Sequence, residues 1–422
     1  MDYSHGVVHT PKSVVQGRKW DMRDLDTVSY VRIYWVDLVN VHRCRIVPVQ
    51  YFKALMKSNR PGVVVAKASL GLVYLTVVPG FLPTGEYLYA LDLATLKPCP
   101  FAPGHMAILG QFEEKTAVNL CPRSLLRRIL EQTKQITNTE FLVGFESEFI
   151  LLKSTDPIEP VHIHDFAAST GLLAGAAQSN ALEEIADAIT ASGIVLEMYH
   201  AEAAPGQYEV AADALIHTRE IIVQVAAKHG LHATFAPRPF LNSTGSSTHA
   251  HISVHTAGVE KTAEGLSKHE QAFLAGVLDH LPCDRGNRES SLRLTNATSP
   301  GSRNFEARFI DGTANPHLAL AAVFAGAFIG LKSMMELEVL DCSGLKTAAE
   351  LTEDERLALG IKKRLPLNIE DARKNLEQDS ALCELLTRDF VESYLSINRT
   401  LQAALSQDET EAQELTRLVK FY

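Results

Sequence analysis

The stretch that most restricts this chain is Glu140-Phe141-Leu142-Val143-Gly144-Phe145-Glu146-Ser147-Glu148-Phe149-Ile150-Leu151-Leu152. Aromatic and branched residues dominate it and no proline interrupts it, so it reads as a strand. Side chains two apart on a strand share a face, which sets Glu146 and Glu148 side by side with Cα atoms roughly 6.5–7 Å apart. Phe145 and Phe149 fall on the opposite face and anchor the strand in a core. Two carboxylates fixed together on a half-buried strand repel each other and resist desolvation. A divalent cation between them removes that cost. An exposed polar face of an edge strand is the simpler explanation for one such pair, so the rest of the chain has to decide.

Four further segments carry polar residues on matching faces. Glu202 and Glu209 flank the turn Ala203-Ala204-Pro205-Gly206-Gln207, and a hairpin there brings both to one point. His249 and His251 share a face of Ser247–Val254. Glu306 and Arg308 share a face of Arg303–Ile310, with Phe305, Ala307 and Phe309 behind. A sheet presenting Glu146, Glu148, Glu202, Glu209, His249 and Glu306 inward offers five carboxylates and an imidazole. Such a set suits hard ions, Mg²⁺ or Mn²⁺, better than zinc, and exceeds what one ion needs. Arg288, Arg293, Arg303 and Arg308 follow closely, and arginine beside metal-binding carboxylates suits phosphoryl transfer. Taken singly, each histidine has the simpler reading of a satisfied core residue and each arginine that of a surface ion pair. The coincidence of all of them favours a site. Neither a P-loop nor a Gly-x-Gly-x-x-Gly dinucleotide motif is present.

The flanking chain predicts a mixed α and β architecture. Strands are expected at Ser29–Leu38, Cys44–Val49, Val63–Ala66 and Leu72–Val78, with a short helix at Gln50–Met56, giving a small N-terminal domain over 20–112 and a linker to Asn119. A second domain over 120–422 opens with a helix near Pro122–Gln135. Helices follow at Ala176–Ser192, Leu215–His229 (closed by Gly230), from the Ser267-x-x-Glu270 capping box onward, and from Asn315-Pro316 to about Leu337. The remainder from about 367 to 421 reads as helical. The formal net charge of −10 argues against a nucleic-acid surface. The apolar run Leu318–Leu331 is shorter than the roughly 20 residues a bilayer requires, and reads as a buried helix rather than a membrane span. Six scattered cysteines without a Cys-x-x-Cys pair are expected as thiols in a cytoplasmic protein.

The order Gly144-x-Glu146-x-Glu148-Phe149, Glu202 with Pro205-Gly206-Gln207-x-Glu209, His249-x-His251-x-Ser253, Asn287-Arg288 with Arg293, then Glu306-x-Arg308 with Ala314-Asn315-Pro316, resembles glutamine synthetase over most of the chain. The nearest likeness is to the fungal-type members. The resemblance implies an α+β fold: a β-grasp-like N-terminal domain and a catalytic domain with a curved, largely antiparallel sheet. It implies ATP-dependent formation of a γ-glutamyl amide through an acyl phosphate, with ammonia or an amine as acceptor, in a homo-oligomeric ring. Glu148, Glu202 and Glu209 would hold one metal, and Glu146, His249 and Glu306 a second under the ATP phosphates. Glu197, His251 and Ser253 would seat the nucleotide. Arg288 and Arg293 would meet the transferred phosphate, Arg308 the α-carboxylate of glutamate, and Gly245 would offer backbone contacts.

Departures accompany the resemblance. His280-Leu281-Pro282-Cys283 runs almost directly into Asn287-Arg288, where the family carries several dozen more residues, including a substrate-binding arginine and a flap acid. The position two before Glu306, usually arginine, is Asn304. No residue is assigned to the aspartate that a neighbouring subunit normally contributes. The resemblance therefore also admits a metal-binding scaffold or regulator of impaired activity. The ligand set alone would suit a two-metal phosphohydrolase.

Overall fold

A computed structural model describes residues 20–113, 120–280, 291–340, 346, 350–363, 365–407 and 410–422. The expected linker to Asn119 lies mostly outside these residues, as does the junction from Pro282 to Asn287 with Arg288.

Tyr30–Val36 (β1) and His42–Pro48 (β2) form an antiparallel hairpin, and Val49–Met56 (α1) follows at once. Gly62–Ala66 (β3) comes next. Leu72–Val73 (β4) and Thr76–Val77 (β5) make a short hairpin where one continuous strand is expected, because Tyr74 turns the chain at a φ of 51°. Glu86–Leu91 (β6), Lys97–Pro98 (β7), His105–Ile108 (β8) and Gly110–Glu113 (β9) complete this half. They assemble as β2-β1-β8-β7 and β3-β6-β9, with β8 lying parallel to β1.

The second half begins with Pro122–Thr137 (α2), closed by Asn138 in the left-handed region. Thr139–Thr155 (β10), Ile158–Pro160 (β11), Ala177–Ala191 (α3), Leu196–Ala201 (β12), Gln207–Ala212 (β13), Leu215–Lys228 (α4), His232–Thr234 (β14) and Thr248–Thr256 (β15) follow. Then come Lys268–His280 (α5), Leu292–Thr295 (β16), Asn304–Ala307 (β17) and Pro316–Ser333 (α6). The expected C-terminal helix is divided into Ile369–Gln378 (α8), Ser380–Leu386 (α9), Arg388–Leu405 (α10) and Glu411–Phe421 (α11), after a one-turn Glu353–Ala358 (α7). Each of these breaks is marked by a local N-cap or backbone reversal: Asn368, Asp379 and Thr410 accept from the next turn, and Thr387 sits at a φ of 69°.

The central sheet runs β12-β13-β10-β15-β17-β16, with β11 and β14 pairing along the far end of β10, and all of its pairings are antiparallel. β10 is the spine because its apolar residues fill both faces beyond Glu148. Phe149 and Leu151 join the core under α3 and α4, while Ile150 and Leu152 pack with Ala236 and Val419 of α11. The glutamates thus occupy the part of their face that the apolar C-terminal half of the strand leaves open.

α6 is long and apolar enough by composition to cross a membrane, yet it packs as a core helix with α2 and α5. Glycines let its backbone touch α5: a Cβ on Gly276 would lie 2.2 Å from the Gly326 carbonyl, and one on Gly330 2.1 Å from the Ala272 carbonyl. The helix ends at Ser333, short of Leu337, because Met334 adopts a left-handed conformation at φ 50°.

Candidate functional site

Direct cross-strand neighbours in a sheet point to the same side, so register decides which side chains meet. His200 of β12 lies opposite Glu209 of β13, and Glu209 opposite Glu148 of β10. Glu146 lies opposite His249 of β15, His251 opposite Glu306 of β17, and Glu306 opposite Arg293 of β16. One polar stripe therefore crosses six strands. Glu202 joins it from the end of the β12–β13 turn, which its own N–H closes by donating to the Gln207 carbonyl.

Three sets of potential ligand atoms lie within 4.8 Å of one another: Glu146, His251 and Glu306; Glu146, Glu209 and His249; and His200, Glu202 and Glu209. His249 Nδ1 is 3.0 Å from Glu146 and 3.3 Å from Glu306, and His251 Nε2 is 3.0 Å from Glu146. His200 is 3.3 Å from Glu209 and 3.5 Å from Glu202. Glu306 is fully buried between these imidazoles and two arginines, Arg293 and Arg308, each 2.5 Å away.

Neighbouring groups aim these side chains. Glu148 accepts from Gln207 Nε2 at 2.8 Å, from the Ser247 N–H at 2.9 Å and from the Ser247 hydroxyl at 3.1 Å. With the Ser247 proton committed to Glu148, its oxygen accepts from His249 Nε2 at 2.7 Å. His249 Nδ1 faces the carboxylates of Glu146 and Glu306 and hydrogen-bonds Glu146 at 3.0 Å. The same Gln207 amide holds the Gly245 carbonyl at 3.1 Å.

The charges are poorly matched without a cation. Burial, followed by repulsion from Glu146, Glu148, Glu202 and Glu306, pushes the Glu209 carboxyl up to about 9. Burial also raises Glu148. Burial opposes ionisation of Glu146, but hydrogen bonds with His249 and His251 outweigh it and hold that carboxyl well below its ordinary range. Burial likewise opposes charge on His251, but the Glu146 carboxylate outweighs it and holds the imidazole above its ordinary value. Carboxylates crowded against imidazoles, beside the Glu209 carboxyl that burial and its acidic neighbours push up, are the donor chemistry a divalent ion satisfies. Mg²⁺ or Mn²⁺ therefore fits the residues present.

The structure brings together Glu146, Glu148, Glu202, Glu209, His249, His251, Glu306, Arg293 and Arg308. Ser253 continues the His249–His251 row and bonds His255 at 2.8 Å, outside the three sets. Glu197 is exposed at a bulge in β12 and is also outside them. Four contributors carry no assigned role in the sequence reading: His200, Ser247, Gln207 and Asn304. His200 was within reach, since pairing the hairpin back from the Glu202–Gln207 closure places it opposite Glu209.

The glutamine synthetase catalytic-domain family model matches residues 119–283 and 284–418. Protein fluG of Emericella nidulans is 32% identical over 434 residues, covering 91% of this chain and 48% of that protein. This chain thus spans about half the length of that relative. Glutamine synthetase of Methanocaldococcus jannaschii is 30% identical over 375 residues, covering 76% of this chain and 81% of that enzyme. That alignment is longer than the share of the 422 residues it uses, so several dozen positions of the relative face no residue here. Among solved structures, a novel glutamine synthase homolog superposes with a TM-score of 0.76 at 24% identity, covering 94% of this chain and 99% of its own. Ligand-free GmaS superposes at 0.74 with 24% identity and the same coverage. The fold is that of these proteins, and the chain belongs to the glutamine synthetase family.

Proposed function

We propose that this protein is an ATP-dependent carboxylate–amine ligase that forms a γ-glutamyl amide through an acyl phosphate, working as a homo-oligomeric ring in the cytoplasm. The observation that carries this reading is the stripe of five carboxylates and three imidazoles across β12, β13, β10, β15 and β17, ending on Arg293 and Arg308. Glu148, Glu202 and Glu209 would hold one Mg²⁺ or Mn²⁺, and Glu146, His249 and Glu306 the other. Bound there, the ions supply positive charge against the oxygens of the moving phosphoryl group. Arg293 and Arg288 meet that phosphoryl. Arg308 exchanges its bond with Glu306 for the α-carboxylate of glutamate, whose orientation is then fixed by a planar fork of donors. Gly245 presents its carbonyl at a position set by Gln207. Glu197, His251 and Ser253 line the approach of the nucleotide.

A second reading rests on the positions of the relative that have no counterpart here and on the break in the family match between Cys283 and Asp284. A chain lacking one positioned general base loses about 10²–10⁴ in rate. Loss of a substrate clamp adds to this, since misplacement by about 1 Å can cost 10²-fold. The ligand residues all lie outside that junction, so metal binding should survive. An uncovered site would also admit water to the acyl phosphate, and phosphate release would outrun amide formation.

One reaction separates the readings: ATP, Mg²⁺, glutamate and hydroxylamine, scored for hydroxamate and phosphate together. Matched yields of both support the ligase. Phosphate in excess of hydroxamate, or metal binding without either product, supports the impaired form. Neither product and no Mg²⁺ binding by calorimetry would overturn both.

A further inference from the structure

We infer that the cavity between α6, α8, α9, α10 and the end of β17 is a binding site for a small organic ammonium ion with an apolar body, separate from the polar stripe. Such a site stands whether or not the chain forms an amide.

The C-terminal helices do not close fully on the sheet. The space left has a volume of about 510 Å³, within the range of pockets that take small molecules. Its walls are mainly apolar, with Leu318 and Ala319 from α6 and Leu401 from α10. It shares no lining residue with the polar stripe. Ile369, which opens α8, lines it and is 41% exposed, so the space communicates with solvent.

Two polar groups on this wall are left without partners among the described residues. Asp311, just past β17, accepts from the Thr313 N–H at 2.8 Å and the Thr313 hydroxyl at 2.6 Å, both through Oδ1. Its Oδ2 accepts nothing. The Tyr394 hydroxyl also makes no hydrogen bond, and burial followed by the nearby Asp311 charge raises the phenol, which stays protonated. The other charged groups of the wall are taken up. Arg373 bonds Asn398 at 2.8 and 3.0 Å, Glu370 at 2.6 Å and Gln402 at 2.6 Å, and His280 pairs with Asp379 at 2.6 Å. Arg219, whose charge Asp311 favours, lies outside the wall and donates to Thr248 at 2.8 Å. The charge left for a ligand is therefore negative.

Four aromatic rings, Phe309, Phe390, Tyr394 and Tyr422, line the same cavity. Ring faces attract a cation, and a free carboxylate oxygen adds a charge-assisted hydrogen bond. Apolar walls, aromatic rings and one unpaired carboxylate together recognise an ammonium group carried on an alkyl or aryl body. An anion would be repelled by Asp311, and a wholly polar ligand would lose its hydration against the walls without compensation.

Calorimetry on the full chain in the presence of Mg²⁺ tests this, with phenethylamine as probe beside the neutral 2-phenylethanol and the anionic 3-phenylpropionate. Expected is saturable 1:1 binding of phenethylamine, with the alcohol weaker by about 10-fold or more and the carboxylate weaker still. Asp311→Asn, which keeps the Oδ1 contacts with Thr313, should weaken phenethylamine by about 10- to 100-fold and leave the alcohol unchanged. Ala319→Leu, which fills the space, should weaken amine and alcohol alike and serves if Asp311→Asn does not fold. Failure of phenethylamine to bind, equal affinity for the three probes, or binding unaltered in both variants overturns the inference. Binding that Mg²⁺ displaces and Asp311→Asn leaves intact places the amine on the carboxylate stripe and overturns it too. The hydroxamate assay is independent of each of these results.

Discussion

Replacing Asn315 separates two contributions that one side chain makes to the link between the N-terminal hairpin and α6. Its Oδ1 caps α6 by accepting from the His317 and Leu318 N–H groups at 3.0 and 3.3 Å. Its Nδ2 donates to the backbone carbonyl of Asp37 at 2.9 Å, just past the end of β1. Asp37 is itself fully buried, and its side chain is taken up by the Val39 and Val41 N–H groups and by Arg43. Loss of a cap costs about 1 kcal/mol. The Asp37 carbonyl keeps the Asn40 N–H at 3.1 Å, so losing the Asn315 donor removes one hydrogen bond, about 0.5–1.5 kcal/mol. Asn315→Ala should therefore destabilise by about 1.5–2.5 kcal/mol, whereas Asn315→Ser, which keeps a cap, should incur only the carbonyl part. Urea midpoints multiplied by a common slope measure both. A loss below about 0.5 kcal/mol for Asn315→Ala, the level of an ordinary surface change, would refute the reasoning. Equal losses for Ala and Ser would show that the cap contributes nothing.

Glu209 sets a pH dependence. Its folded value of about 9 lies above its ordinary 4.5, so the metal-free fold binds a proton more tightly than the unfolded chain does. That contribution to stability is fully present below 4.5 and is lost as pH rises to about 9. Metal must displace the proton, so apparent affinity at the Glu202–Glu209 pocket should rise up to about tenfold per pH unit between pH 6 and 9, with about one proton released at pH 7. Calorimetry in two buffers of different ionisation enthalpy reads this, and pH-independent binding without proton release would contradict it. Gly276→Ala forces a methyl against the Gly326 carbonyl and should destabilise by about 1–3 kcal/mol through separation of α5 and α6; an unchanged melting temperature would show that the helices yield freely.

Local chemistry was legible in the sequence. The period-two glutamates, the His249–His251 pair, the Ser267–Glu270 capping box and the Asn315 cap each depend on residues a few positions apart. The structure shows both capping interactions, with Ser267 and Glu270 each accepting the other's N–H. The short strands β6, β8 and β9 were less legible, because they have only 6, 4 and 4 residues and gain a sheet only by pairing, β8 with β1, β6 with β3 and β9 with β6. The N-terminal helix–strand pattern likewise does not reveal that β8 runs parallel beside β1.

What only the tertiary structure decided is which polar pairs become neighbours. Placing β13 and β15 on either side of β10 set Glu209 against Glu148 and His249 against Glu146, and a shift of one residue in either register would turn those side chains to the opposite face. The burial that pushes Glu209 up also exists only once the sheet is assembled. Asn304 stands out in the sequence merely as a departure from a motif. Its hold on His251 needs β16, β17 and β15 side by side, because a hydrogen-bond relay across three strands has no signature in residue spacing.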